Sequence, residues 1–244
     1  MSSTWVVGDI HGCAEELAEL VDAIALQPED RFLSVGDLYH RGPDPLGVAR
    51  QLQAIPGFEL ILGNHERAML RRAGLVGQRA DGSDGLPLPE GEANWEEDVL
   101  LGDGRTPMQG VSVDQASELL GLLAQRPYYL RGELADGQPW AAVHAGIAPG
   151  RRLDDSPPDL LCSLRRLREL PGAPFWYEAY TGPHLILFGH TPSRFPRACH
   201  AQGKLVALGL DTGCVYGGAL TAYRLEDGEL AVVEARRDYV GKKS

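Results

Sequence analysis

Asp9 and His11 sit in the segment GDIHG (8–12), directly after the apolar run Trp5-Val6-Val7, each with a glycine beside it. Aspartate and histidine are poor occupants of a buried strand and good ligands for a hard or borderline divalent cation. The arrangement recurs along the chain. Further apolar runs close on VGD with Asp37, on LGNHE with Asn64 and His65, on VHAG with His144 and on FGHT with His190. Taken singly, an aspartate at a strand end is a turn or helix-capping residue, and a lone histidine is a hydrogen-bonded, partly buried one. Taken together, Asp9, His11, Asp37, Asn64, His144 and His190 form an ordered set of oxygen and nitrogen donors of the kind that holds manganese, iron or zinc. The adjoining glycines permit tight turns and close backbone approach.

Positioning these residues falls to alternating strands and helices. Residues 4–7, 31–35 and 58–62 read as strands; residues 13–26, 45–55 and those from 66 to 72 read as helices, the first with Leu17, Leu20, Val21 and Ile24 at helical spacing. This βαβαβ pattern implies a parallel sheet with covering helices. In open α/β sheets, ligands sit at the carboxyl edge of the strands, where every one of these motifs falls. A helix is expected over 113–124, strands over 140–143, 185–188 and 205–210, and a hairpin over 219–235 turning at Asp227-Gly228. Residues 74–110 break the pattern and are too long for an ordinary connection. They carry Glu90, Glu92, Glu96, Glu97 and Asp98 around Trp95, so the segment is either a surface loop or a lid on which Trp95 stacks against a base.

The chain has 244 residues, 43% hydrophobic and 23% charged, enough for one sizeable core. Its 34 acidic and 23 basic residues give a net charge of -11, which excludes general attraction to long nucleic acids or anionic membranes. A local polyanion site remains open, because bound metal changes the charge there. Cys13, Cys162, Cys199 and Cys214 are widely spaced without CxxC, which argues against structural zinc and for reduced thiols. No signal-peptide pattern and no stretch of membrane-spanning length is seen, so the expected location is cytoplasmic.

The order GDIHG, GDLYHRG, GNHE, HAG and GHT, between residues 8 and 191, resembles the calcineurin-like metallophosphoesterase superfamily. The similarity is to the branch that holds Ser/Thr protein phosphatases and diadenosine tetraphosphatases. WYEAYTG (176–182), FGHTP (188–192) and LDTGCVYGGALTAYR (210–224) are similar to bacterial diadenosine tetraphosphatases and to the phosphatase module of bacterial polynucleotide kinase–phosphatases. No phosphate-loop motif of a kinase module occurs.

The resemblance implies an α/β fold in which two sheets form a sandwich flanked by helices. It implies a single domain over 1–244, with 74–110 as an insertion. It implies two divalent metal ions, manganese foremost with iron or zinc fitting the same donors. Asp9, His11 and Asp37 would hold one; Asp37 would bridge to the second, held by Asn64, His144 and His190. A hydroxide shared by cations about 3.5–4 Å apart would attack phosphorus in line, leaving Cys13 a packing residue rather than a nucleophile. Arg41 would clamp phosphate oxygens, and His65 would act as general acid or transition-state donor. A second phosphate-binding arginine is expected among Arg165, Arg166 and Arg168. Asp211 would orient a catalytic side chain, or serve only as a turn residue ahead of Gly213.

One position departs from the family pattern: GDxxDRG is usual, and His40 stands where the last aspartate is expected. That favours a leaving group needing little protonation, such as a nucleotide or polyphosphate. The expected function is therefore metal-dependent hydrolysis of nucleotide phosphoanhydrides or phosphomonoesters, in the manner of bis(5'-nucleosyl)-tetraphosphatases. The alternatives are a Ser/Thr phosphoprotein phosphatase, which the acidic insertion would suit, and a catalytically weak metal- or nucleotide-binding regulator.

Overall fold

The computed structural model describes residues 2–78, 84–85, 108 and 110–241. Trp95 and the acidic stretch around it, on which the lid expectation rests, lie outside the described residues.

The first half builds the expected alternation. Strand β1 (Thr4–Val7) is buried throughout and leads into α1 (Ala14–Ala23), whose Glu15 and Glu16 lie in the first turn, where the helix dipole favours them. Strand β2 (Arg31–Ser34) is followed by α2 (Pro45–Ala54), which starts on a proline and is capped by Asp44, whose carboxylate accepts from Gly47 N at 2.7 Å. Strand β3 (Phe58–Leu60) precedes α3 (Asn64–Arg72). Short β4 (Gly77–Gln78) and β5 (Asp84–Gly85) pair with each other. Helix α4 (Val113–Leu123) opens on a Ser112–Gln115 capping box.

The second half supplies β6 (Tyr129–Glu133), β7 (Pro139–Val143), the short helices α5 (Pro158–Ser163) and α6 (Trp176–Ala179), and β8 (Leu185–Phe188). It ends with β9 (Arg197–Ala201), β10 (Lys204–Gly209), β11 (Ala219–Arg224) and β12 (Leu230–Glu234).

These strands form two five-stranded sheets, in the orders β12-β11-β1-β2-β3 and β6-β7-β8-β10-β9. The β1-β2-β3 and β7-β8-β10 segments are parallel. The sheets are mixed rather than all-parallel, because β11, held to β12 as a hairpin, returns antiparallel beside β1, and because β6 and β9 are antiparallel edges. Strand alternation divides the core. Val6, Leu33, Val35 and Ile61 of the first sheet meet Trp140, Ala142, Leu185, Leu187 and Leu208 of the second. Trp5, Val7 and Phe32 face the other way, against α1, α2 and α4, while Val143, Ile186 and Phe188 pack on Trp176 and Tyr177. The result is a sandwich of sheets with helices outside it. Among the described residues no helix is long and apolar enough to cross a membrane.

Candidate metal centre

The motif loops are joined by backbone hydrogen bonds at one edge of the sandwich. Ile10 and His11 N–H donate to Asp37 O at 3.2 and 2.8 Å, Gly12 N to Leu38 O at 2.7 Å, and Gly189 N to His144 O at 2.8 Å. The turns are sharp: His11, Asp37, Arg41 and His190 all hold left-handed backbone, with φ of 51, 56, 81 and 65°. Non-glycine residues store strain there, and such strain concentrates at functional sites. Glycines give these turns room. Gly36 has φ +99°, and a Cβ on it would lie 2.5 Å from Gly63 N; a Cβ on Gly189 would lie 2.0 Å from Asp9 Oδ1. Trp176, fully buried, donates from its indole to Ala145 O at 2.9 Å and supports the turn after His144 from below.

Asp37 is the centre of the cluster. His11 Nε2 and His65 Nε2 lie 3.6 and 3.8 Å from its Oδ2, and His144 Nε2 lies 3.5 Å from its Oδ1. Two groups of donor atoms result, each spanning no more than 4.8 Å: His11, Asp37 and His65, and Asp37, His144 and His190. They share Asp37. Asn64 Oδ1 and His190 Nδ1 are 2.9 and 3.2 Å from His144 Nε2. Asp9 stands beside the first group, 3.9 Å from His11 Nε2, and accepts His190 N–H through both oxygens at 3.1 Å.

The hydrogen bonding fits a cation. His144 Nδ1 must donate to Val35 O at 2.8 Å, because a carbonyl only accepts, so Nε2 carries the lone pair. That lone pair faces Asn64 Oδ1 and Asp37 Oδ1, also acceptors, with no hydrogen available between them. Arg41 Nη1 donates to His11 Nε2 at 2.7 Å, so the lone pair of His11 also lies on the nitrogen nearest Asp37, while among the described residues its buried Nδ1 has no hydrogen-bond partner. The Nε2 lone pair of His144 and the oxygens of Asp37 and Asn64 converge as acceptors, an arrangement that a divalent ion satisfies.

The charges agree. Burial, then the charges of Asp211 and Asp37, hold Asp9 well above the usual carboxylate range. Burial pushes Asp211 up to about 7, eased by the Gly213 N–H and reinforced by Asp37. Asp37 itself is lowered: burial opposes its ionisation, and a proton on His144, His65 or His11, when one is bound, outweighs it. Burial lowers His11 and His144 and takes His190 to about 2, leaving neutral imidazoles. Crowded carboxylates among neutral imidazoles form a site short of positive charge.

Arg41 and Asp211 border this centre. Asp211 Oδ1 also accepts from Gly213 N at 3.0 Å, so it is a turn residue and a neighbour of the site at once. The three arginines separate. Arg165 Nη2 donates to His190 O at 2.8 Å. Arg166 stacks over Phe175, 3.8 Å from the ring centroid, and bonds Ala173 O. Arg168 is exposed, and all three arginines line one cleft of about 710 Å³. His40 and His65 are both fully buried and in ring contact.

Glu66 is the residue for which sequence reasoning found no task. Fully buried, it accepts from Asp37 N (2.7 Å) and Gly63 N (3.0 Å) through Oε2 and from Leu38 N (2.8 Å) through Oε1. It thereby fixes the backbone that aims Asp37. Burial and the Asp37 charge push it up to about 7, against the three N–H donors. Its signal is a glutamate three residues after the glycine that precedes α3, where its carboxylate reaches back to the Gly63 N–H, one half of a capping box. Below the centre, Cys13, Glu16 and Cys214 form a buried group. The Cys13 thiol and burial push the Cys214 thiol far up, so it is an inert neighbour.

Known proteins resemble this chain along most of its length. The family of calcineurin-like phosphoesterases matches residues 2–194. A bis(5'-nucleosyl)-tetraphosphatase named PrpE and asymmetrical, from Halalkalibacterium halodurans, is 29% identical over 98% of this chain and 96% of its own. A symmetrical bis(5'-nucleosyl)-tetraphosphatase of Serratia proteamaculans is 30% identical over 96% of this chain and 95% of its own. A crystal structure proposed to be a diadenosine tetraphosphatase superposes with a TM-score of 0.71 at 27% identity, covering 96% of this chain and 94% of that one. A protein serine/threonine phosphatase of Saccharomyces cerevisiae, at 14% identity and a TM-score of 0.52, shares the fold. The match runs over most of the chain and through every motif of the metal centre, and the chain belongs to the calcineurin-like phosphoesterase family.

Proposed function

We propose that this phosphoesterase hydrolyses dinucleoside polyphosphates. The observation that carries the reading is the pair of donor groups sharing Asp37, with Arg41 at hydrogen-bond distance from one and Arg165 bonded to the backbone of the other. The names of the relatives at 29 and 30% identity support the substrate class.

Asp9, His11 and Asp37 would hold one divalent ion, with Asp9 reaching in from beside the donor group that includes His65, and Asp37, Asn64, His144 and His190 would hold the other, with manganese foremost and iron or zinc fitting the same donors. When bound, the ions supply Lewis acidity toward phosphoryl oxygens and lower the pKa of water. The protein supplies the rest. Arg41 and Arg165 bring guanidinium charge to the phosphate chain, where planar donors match paired oxygens. His65, within the cluster, would donate to the departing oxygen, and a nucleoside polyphosphate leaving group asks little of it. Asp211, whose charge acts on Asp9, would orient a catalytic side chain. All four cysteines are free thiols, which suits a reducing cytoplasm.

The test is product release by the manganese-loaded protein from diadenosine tetraphosphate, a phosphoserine/phosphothreonine peptide and an aryl phosphate, with Asp37→Asn as control. Two ADP from the dinucleotide would mark a symmetrical enzyme, and ATP with AMP an asymmetrical one. Turnover of the peptide alone would overturn the reading in favour of a protein phosphatase. Silence on all three with metal bound would leave a regulator.

A further inference from the structure

Beyond Asp211 the chain makes a tight turn through Gly213, Cys214, Val215 and Tyr216. Cys214 and Val215 point inward and are 2 and 1% exposed, whereas Tyr216 is 41% exposed. The backbone beneath it is fixed. Tyr216 N and Gly218 N donate to Gly213 O at 2.9 and 3.0 Å, and Tyr216 pairs with Asp238 in an isolated bridge. Gly217, at φ +78°, packs so closely on Asp238 that a Cβ would lie 3.2 Å from its nitrogen. The ring is therefore presented to solvent from a rigid mount.

Its surroundings are those of the metal centre. The Arg41 guanidinium carbon lies 5.8 Å from the Tyr216 ring centroid, and the same side chain reaches His11 Nε2 at 2.7 Å. The phenol is raised first by burial and then, against Arg41, by the charges of Asp211, Asp37 and Asp9. Phe195 is more exposed, at 69%, but its ring partner is Arg194, 5.5 Å away, and not a residue of the centre.

An aromatic face beside a guanidinium matches the two chemically distinct parts of a nucleotide: a planar base and an anionic phosphate. We propose that Tyr216 is the base-stacking platform of the substrate site, packing on one nucleobase while Arg41 holds the adjoining phosphates. The proposal rests on the nucleotide reading above and deepens it. Stacking tolerates any base, because every base has a π face, so Tyr216 selects nucleotides over bare phosphates and discriminates weakly among bases.

The test is calorimetric titration of ADP and of pyrophosphate into the manganese-loaded protein, as wild type, Tyr216→Ala, Tyr216→Phe and Tyr216→Trp. The readout is the ratio of the two affinities. The wild type should prefer ADP, the alanine variant should lose roughly 5- to 100-fold of that preference, and the phenylalanine and tryptophan variants should keep it. A thermal melt of each variant checks folding. No ADP preference in the wild type, an unchanged ratio in Tyr216→Ala, or a phenylalanine variant that behaves like alanine would each overturn the proposal, the last by assigning the contact to the hydroxyl. Turnover of diadenosine tetraphosphate is scored separately. Turnover with an unchanged ratio sinks the platform alone, and a Tyr216-dependent ratio without turnover sinks the hydrolysis reading alone.

Discussion

The imidazole of His40 lies against that of His65, ring centroids 4.9 Å apart and planes tilted by 35°. On its other side His65 meets His11 edge-on at 5.2 Å. The family's usual aspartate at position 40 would give His65 an anionic partner, and His40 gives it a ring. The variant His40→Asp should therefore raise turnover of alkyl phosphates, whose leaving oxygen needs a proton, more than turnover of aryl phosphates. The ratio of the two rates is the readout, and an unchanged ratio in a folded variant would dissociate His40 from leaving-group chemistry.

Glu66 holds the turn that carries Asp37 through three buried N–H donors. Glutamine in its place turns one acceptor oxygen into an NH₂ facing an N–H. Glu66→Gln should lose about 2–3 kcal/mol of stability and weaken metal binding roughly 10- to 100-fold. Urea unfolding and a manganese titration measure the two effects. Full metal affinity in the variant would show that Asp37 is aimed by other contacts.

Metal should stabilise the fold as well as run the reaction. At a hundred times its Kd, an ion that binds only the folded chain contributes about 2.7 kcal/mol, which raises Tm by roughly 5–10 °C for a chain of this size. Chelation should reverse the shift, and Asp37→Asn, which removes the shared carboxylate, should abolish it. A variant that still gains the full shift would place the ions elsewhere.

Arg165 and Arg166 are adjacent in sequence and differ in what they touch. Arg165→Ala should lower kcat/KM on phosphorylated substrates roughly 10- to 100-fold, as expected for a lost charge-assisted contact. Arg166→Ala removes the stack on Phe175 and should cost about 0.5–1 kcal/mol of stability while leaving turnover by the folded fraction near wild type. Equal kinetic losses in both would mean that the pair acts together on substrate.

Most of the centre was legible in the sequence because each donor lies beside the end of an apolar run and next to glycines that betray a turn. What local pattern could not show was set by distant partners. Glu66 is spent on Asp37 and Leu38, some thirty residues earlier in the chain. Arg165 and Arg166 are told apart by His190 and Phe175. Asn64 and His65 open α3 rather than finish β3, because Glu66 at their back caps the helix. Strands β6 and β9 escaped notice because edge strands expose both faces, as their runs YLRGE and RACHA show, and so lack the alternation that marks a half-buried strand.

The place of β11 between β1 and β12 has a consequence for how the protein is made. On the ribosome, Thr4–Val7 can pair with Arg31–Ser34 early, but its other side stays open until Ala219–Arg224 has been synthesised. Only then does Thr221 O receive the N–H of Gly8, the residue before Asp9, and bring Asp211 to its neighbours. Nearly the whole chain is translated with an unpaired strand edge, and nascent copies on one message are exposed to mispairing through it until the hairpin arrives.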